Sequence, residues 1–123
     1  MDTEDAEYSF LFVYGQLQPG HRFPIEAEVI RPDRVRGLLY DLGEYPGAVE
    51  IGKADNWFSG FLATLPTEDL DELDRFECVE DGLYRRIQTE TESGVTAWIY
   101  EYLQTLPEDA FGPIDAWPVD PTD

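Results

Sequence analysis

Cysteine, histidine and lysine each occur once among these 123 residues, as Cys78, His21 and Lys53. A single cysteine excludes an internal disulfide and a cysteine-based metal cluster, which suits a reducing compartment. A single histidine excludes any site that needs a histidine pair, so no metal is predicted. Long apolar runs are missing too. Nothing approaches the roughly 20 residues that cross a bilayer, and the opening Met1-Asp2-Thr3-Glu4-Asp5 is acidic where a secretory leader would be basic. The composition predicts a soluble, cytoplasmic chain with no membrane partner.

Acid is what the chain has in excess: 27 acidic residues against 8 basic ones give a net charge of -19. Such a surface repels phosphate backbones, so no nucleic-acid partner is expected. The charge has two readings, a solvated surface that keeps the protein soluble, or adaptation to high intracellular salt, where acidic, lysine-poor surfaces are tolerated. The length fits one domain. We place it at residues 8–104, followed by an acidic, proline-rich tail at 105–123. With Pro107, Pro113, Pro118 and Pro121, that tail is not expected to build a core element, although Trp117 within it should pack back on the body. A monomer or weak homodimer is expected.

Patterning supplies the elements. Ser9 to Tyr14 is aromatic and β-branched up to Gly15 and predicts a buried first strand; Gly15 to Phe23 is a loop. Pro24 to Val29 reads as the start of a helical turn limited by Pro32, and Val35 to Leu42 as a second strand. Gly43 to Gly47 is turn chemistry, Ala48 to Ile51 a short strand, and Trp57 to Leu65 a curved strand whose Ser59, Gly60 and Ala63 let backbones approach. After Pro66, Thr67 is placed to cap a helix that carries Glu68 and Asp69 at its positive end and runs to Phe76 or Glu77. Leu83 to Glu90 and Val95 to Leu103, joined at Ser93-Gly94, predict a hairpin.

At about 100° per residue, Leu70, Leu73 and Glu77 fall on one stripe of that helix, the stripe that must face the core. A carboxylate placed there is partly desolvated, which raises its pKa toward neutrality and makes it a usable proton shuttle. The alternative is that the helix frays before Glu77 and the side chain turns to water. Near it in chemistry is the sharp turn Tyr14-Gly15-Gln16-Leu17, whose backbone N–H groups can hold an anion without lysine or arginine.

Taken together, Phe12-Val13-Tyr14-Gly15-Gln16-Leu17-Gln18-Pro19-Gly20 and Leu73-Asp74-Arg75-Phe76-Glu77-Cys78-Val79-Glu80-Asp81-Gly82-Leu83-Tyr84-Arg85-Arg86 resemble the γ-glutamyl cyclotransferase-like family, with its γ-glutamylamine cyclotransferase and avirulence-induced-protein-like branch. Between and after them, Gly37 to Gly43, Tyr45-Pro46-Gly47 and Ala97-Trp98-Ile99-Tyr100 resemble the family's linking strand, turn and last strand. The resemblance implies an α+β fold, a compact mixed β-barrel with one or two short helices packed outside. It also implies roles: Glu77 as catalytic acid/base, Tyr14, Gly15, Gln16 and Leu17 as the loop that holds the glutamyl α-carboxylate, and Tyr84 as a tyrosine lining the pocket. The implied reaction releases 5-oxoproline and a free amine or amino acid from a small γ-glutamyl substrate. One carboxylate takes a proton from the substrate's α-ammonium and later returns one to the leaving amine, with no cofactor required.

Two residues depart from the family pattern. Gln16 stands where Ser or Thr is usual, and Cys78 follows Glu77 where Gly is usual; a glycine with φ > 0 there would make cysteine strained. These departures support an alternative, a catalytically silent member that binds a small carboxylated ligand as a sensor or interaction module. Cys78, with no histidine near, reads as an inert thiol. Tyr100 reads as core, and Arg85 and Arg86 as partners of neighbouring Asp and Glu.

Overall fold

The computed structural model describes residues 7–15, 28–43, 45–76 and 79–117. Strand β1 (Tyr8–Val13) opens the fold and pairs along its whole length with β5 (Trp57–Pro66), antiparallel, with Leu11 opposite Ala63 and Val13 opposite Phe61. Side chains alternate across a strand. Leu11 and Val13 therefore enter one core with Leu65, Leu70, Leu73 and Tyr100, while Phe12 enters a second with Phe58, Leu62, Val35 and Ile99. Burial on both faces explains why β1 reads as a nearly continuous apolar run.

Gly60 sits where the sequence implied close backbone approach. A Cβ there would lie 2.3 Å from the Val13 carbonyl oxygen and 2.7 Å from the Phe12 ring.

The chain builds two sheets. The larger has the order β2-β5-β1-β7-β6, adding β2 (Glu28–Arg36), β6 (Tyr84–Glu90) and β7 (Thr96–Tyr102); the smaller is β4-β3-β8, with β3 (Leu38–Asp41), β4 (Pro46–Val49) and β8 (Phe111–Ile114). β1 runs parallel to β7, and the β6–β7 hairpin is antiparallel, as expected from its pattern. Helix α1 (Leu70–Phe76) follows a 3₁₀ turn at Thr67–Asp69 and buries Leu70 and Leu73. Among the described residues no helix is long and apolar enough to cross a membrane.

The α+β class stands, but the sheets do not close on each other by strand pairing, so the barrel is an open one. Its free edges β2 and β6 are joined by a clasp at the hairpin turn. The Glu92 N–H donates to the Arg34 carbonyl at 2.8 Å, and the buried Asp33 carboxylate accepts the Ser93 hydroxyl at 2.6 Å and the Ser93 N–H at 3.2 Å.

Four local readings are corrected. The single strand expected over Val35 to Leu42 is divided at Gly37, with Arg36 ending β2 in one sheet and Leu38 beginning β3 in the other. Pro24–Ala27 lie outside the described residues, but Glu28 and Val29, read as helical, belong to β2; Pro32 is tolerated in that strand because β2 is an edge. Thr67 does not cap a helix with its side chain; its hydroxyl meets Ser9 Oγ at 2.8 Å, tying the turn to β1.

The segment after Gln104, against expectation, does build a regular element, although its strand residues are largely exposed. Strand β8 pairs with β3, and Trp117 is buried, donating from Nε1 to Asp41 Oδ1 at 3.1 Å. Average composition missed it because main-chain pairing needs an open sheet edge, which β3 supplies, and not an apolar sequence. Trp117 itself packs back on the body as expected.

Candidate functional site

Tyr14 and Gly15 directly follow β1. Tyr14 is held by its ring, edge-on to Phe58 with centroids 5.6 Å apart, and by its hydroxyl, which donates to the Tyr100 carbonyl on β7. Gly15 lies against Pro46, the first residue of β4. A Cβ at position 15 would stand 2.8 Å from Pro46 Cγ and 3.1 Å from Cδ, so only glycine permits this approach.

Tyr84 opens β6 and is 5 % exposed. Its hydroxyl donates to the carbonyl oxygen of the same Pro46. Its ring packs edge-on against Tyr102 at 5.5 Å and Tyr45 at 6.4 Å. Tyr102 in turn presses on Gly47, where a Cβ would meet its ring carbon Cγ at 2.9 Å. Burial, and secondarily the neighbouring Tyr45, pushes the Tyr102 phenol pKa up, so it stays protonated as a neutral wall. Two residues drawn from distant parts of the sequence, Gly15 and Tyr84, thus meet at one proline between them.

Val79 donates its N–H to the Asp74 carbonyl at 3.0 Å, and Gly82 donates to Val79 at 3.0 Å, so the chain turns back toward β6 directly after the helix. Gln16, Leu17, Glu77 and Cys78, singled out in the sequence, lie outside the described residues. Of the residues expected at the site, the structure brings Tyr14, Gly15 and Tyr84 around Pro46 and the end of β7.

Asp74 was not singled out from the sequence. Its carboxylate accepts two hydrogen bonds from Arg86, at 2.8 Å from Nε and 3.0 Å from Nη2, and a third from the Tyr100 hydroxyl at 2.8 Å. Burial alone would raise its pKa, but the bonds from Arg86 and Tyr100, with the guanidinium charge, outweigh it and hold the carboxyl below its ordinary 3.8. The Arg86 guanidinium also stacks over Trp98 at 4.5 Å. A signal existed: Asp74 is the i+4 partner of Leu70 and belongs to the same stripe as Leu73 and Glu77. The expected pairing of Arg85 and Arg86 with acids is met, Arg85 binding Glu101 at 2.8 Å.

A fold of two packed sheets with one short helix, in which Gly15 and Tyr84 meet at Pro46, defines a class of protein that comparison identifies. Residues 11–117 match the family model of gamma-glutamyl cyclotransferase, AIG2-like proteins, and the chain belongs to that family. A protein of Vibrio cholerae serotype O1 named "Putative gamma-glutamylcyclotransferase" is 36% identical over 100 residues, spanning 77% of this chain and 83% of its own. Among solved structures, protein ytfP from Escherichia coli superposes with a TM-score of 0.65 at 28% identity, covering 89% of this chain and 96% of that one. An AIG2-like protein from Mus musculus superposes at 0.67 and 19% identity, covering 82% and 81%, and shares the fold.

Proposed function

We propose that the chain is a γ-glutamyl cyclotransferase-type enzyme that releases 5-oxoproline and a free amine or amino acid from a small γ-glutamyl substrate, with Glu77 as general base and then general acid. The observation that carries this reading is the meeting of Gly15 and Tyr84 at Pro46, in a chain whose family matches along nearly its whole length. The turn after Tyr14 is the place for the substrate's α-carboxylate. In a protein of net charge -19, a carboxylate cannot be drawn in by the general field, so oriented backbone N–H groups must do it locally. Gln16 in place of Ser or Thr changes a side chain there and leaves its N–H.

Anchoring the α-carboxylate fixes the α-nitrogen relative to the γ-carbonyl, which supplies the orientation that ring closure requires. Glu77 accepts the proton that the α-ammonium must lose before nitrogen attacks the γ-carbon. Glu77 passes that proton to the leaving nitrogen as the C–N bond breaks, then takes the second proton that the attacking nitrogen sheds on becoming the lactam N–H and gives it to the amine, which departs as ammonium. Protons and charge balance without a further reactant. The buried Tyr84 and Tyr102 rings keep water from the γ-carbonyl, so that attack comes from the substrate's own nitrogen and the product is the lactam.

The test is 5-oxoproline release from γ-glutamyl amines and γ-glutamyl dipeptides, at low and high salt. Release supports the reading. Silence across the panel, with retained binding of a γ-glutamyl ligand, favours the silent ligand-binding alternative.

A further inference from the structure

Asp74, Arg86, Tyr100 and Tyr14 form a hydrogen-bonded chain that runs from α1 across β6 and β7 to the end of β1. Asp74 in α1 is gripped by Arg86 of β6 through both carboxylate oxygens, and by the hydroxyl of Tyr100 of β7. The main-chain carbonyl of the same Tyr100 accepts the hydroxyl of Tyr14, the last residue before Gly15. Asp74 also holds the chain beyond α1, because its carbonyl accepts the Val79 N–H at 3.0 Å. The two ends of the 74–79 segment, which carries Glu77 in the sequence, are therefore bonded to each other.

A helix of seven residues is too short to hold its own end in place, since isolated helices below about 12–15 residues are marginal. Its leucines fix its inner face but not its rotation or slide. A bidentate guanidinium fork sets both, because two parallel hydrogen bonds are satisfied in one orientation only. The Trp98 ring beneath Arg86 fixes the fork in turn.

We propose that Asp74 is a positioning residue: with Arg86 and Tyr100 it sets the span between the end of α1 and the Tyr14–Gly15 turn, and so sets Glu77 against the substrate. This deepens the cyclotransferase reading and rests on it. The network makes no bond to the reacting atoms; it acts through the segment that follows it.

The experiment compares wild type, Glu77→Gln, Asp74→Asn, Asp74→Glu and Tyr100→Phe for 5-oxoproline release, per folded molecule and well below each melting temperature. Asp74→Asn should lower kcat about ten- to a hundred-fold, as sub-ångström to ångström misplacement does, with KM within about twofold because the turn that holds the carboxylate is intact. Asp74→Glu should recover part of the loss. Tyr100→Phe, which removes one hydroxyl and keeps the ring and the carbonyl, should fall between, and it keeps the test decisive should Asp74→Asn fail to fold.

Wild-type kcat in Tyr100→Phe and in folded Asp74→Asn, beside an inactive Glu77→Gln, would overturn the positioning role and leave the cyclotransferase reading standing. Equal activity of wild type and Glu77→Gln, or none in wild type, would overturn both. Loss of KM and kcat together, tracking the melting temperature, would make Asp74 a purely structural residue.

Discussion

Tyr84 donates its hydroxyl to the carbonyl of Pro46, and Gly15 packs on the ring of the same proline. The start of β6, the start of β4 and the end of β1 are thereby fixed to one another at a single point. Removing that hydroxyl in Tyr84→Phe leaves a buried carbonyl short of a donor while the ring stays packed. Such a loss costs about 1–3 kcal/mol. Urea unfolding should show a lower midpoint with an unchanged m-value, and kcat/KM should fall about tenfold, corresponding to about 1.4 kcal/mol of transition-state stabilisation.

Gly15→Ala should be more damaging to substrate binding than to folding. The new methyl would stand 2.8 Å from Pro46 Cγ, inside contact distance, and proline cannot rotate its ring away. Either β4 or the turn must move. A shift on the Gly15 side raises KM about tenfold or more, with a stability loss of about 1–3 kcal/mol. Steady-state kinetics beside a thermal melt separates the two effects.

The clasp between Asp33 and Ser93 gives stability a defined pH dependence. Burial pushes the Asp33 carboxyl up, but the hydroxyls of Ser93 and Thr91 and the N–H groups of Arg34 and Ser93 outweigh it and hold the pKa below its ordinary 3.8. A depressed carboxylate stabilises the fold fully above its unfolded value and loses that contribution as pH falls through the folded one. Unfolding free energy should therefore drop as pH falls below about 4, and Asp33→Asn should flatten part of that slope while costing about 1–3 kcal/mol at neutral pH. Asp74, depressed by Arg86 and Tyr100, contributes with the same sign.

Much of this architecture was legible in the sequence, and its gaps have physical causes. β1, β5, α1 and the β6–β7 hairpin carry strong periodic apolar patterns, and Gly60 announced a close approach that the structure contains. Gly37 was not recognised as a boundary because the residues either side of it are equally suited to strands, and only the pairing partners, β5 for one half and β4 for the other, divide them. β8 escaped because it relies on the β3 edge. Of the residues proposed for the site, Tyr14, Gly15 and Tyr84 were singled out through family likeness. Asp74 lies on the stripe of Leu70, Leu73 and Glu77, but as one acid among 27 it does not stand out until Arg86 and Tyr100 are seen around it.

Salt should stabilise this protein. Screening weakens the exposed Arg34–Glu92 and Arg36–Asp55 pairs, but such pairs contribute little. Repulsion within a net charge of -19 outweighs them and is screened as well. Raising sodium chloride from about 0.01 M to 1 M, which shortens the Debye length from about 30 Å to 3 Å, should raise the melting temperature by about 5 °C or more, roughly 1 kcal/mol for a domain of this size. A flat or falling response would count against an acid surface adapted to salt.

The central claim is that Glu77 carries the proton in an intramolecular cyclisation. Its most direct test is 5-oxoproline release by wild type and Glu77→Gln, assayed side by side on γ-glutamyl amines and dipeptides at high and low salt. The account predicts release by wild type and a loss of at least about a thousandfold in Glu77→Gln, at the scale of general acid–base catalysis, with an unchanged melting temperature. Equal release by the two proteins, or unfolding of the variant, would contradict it.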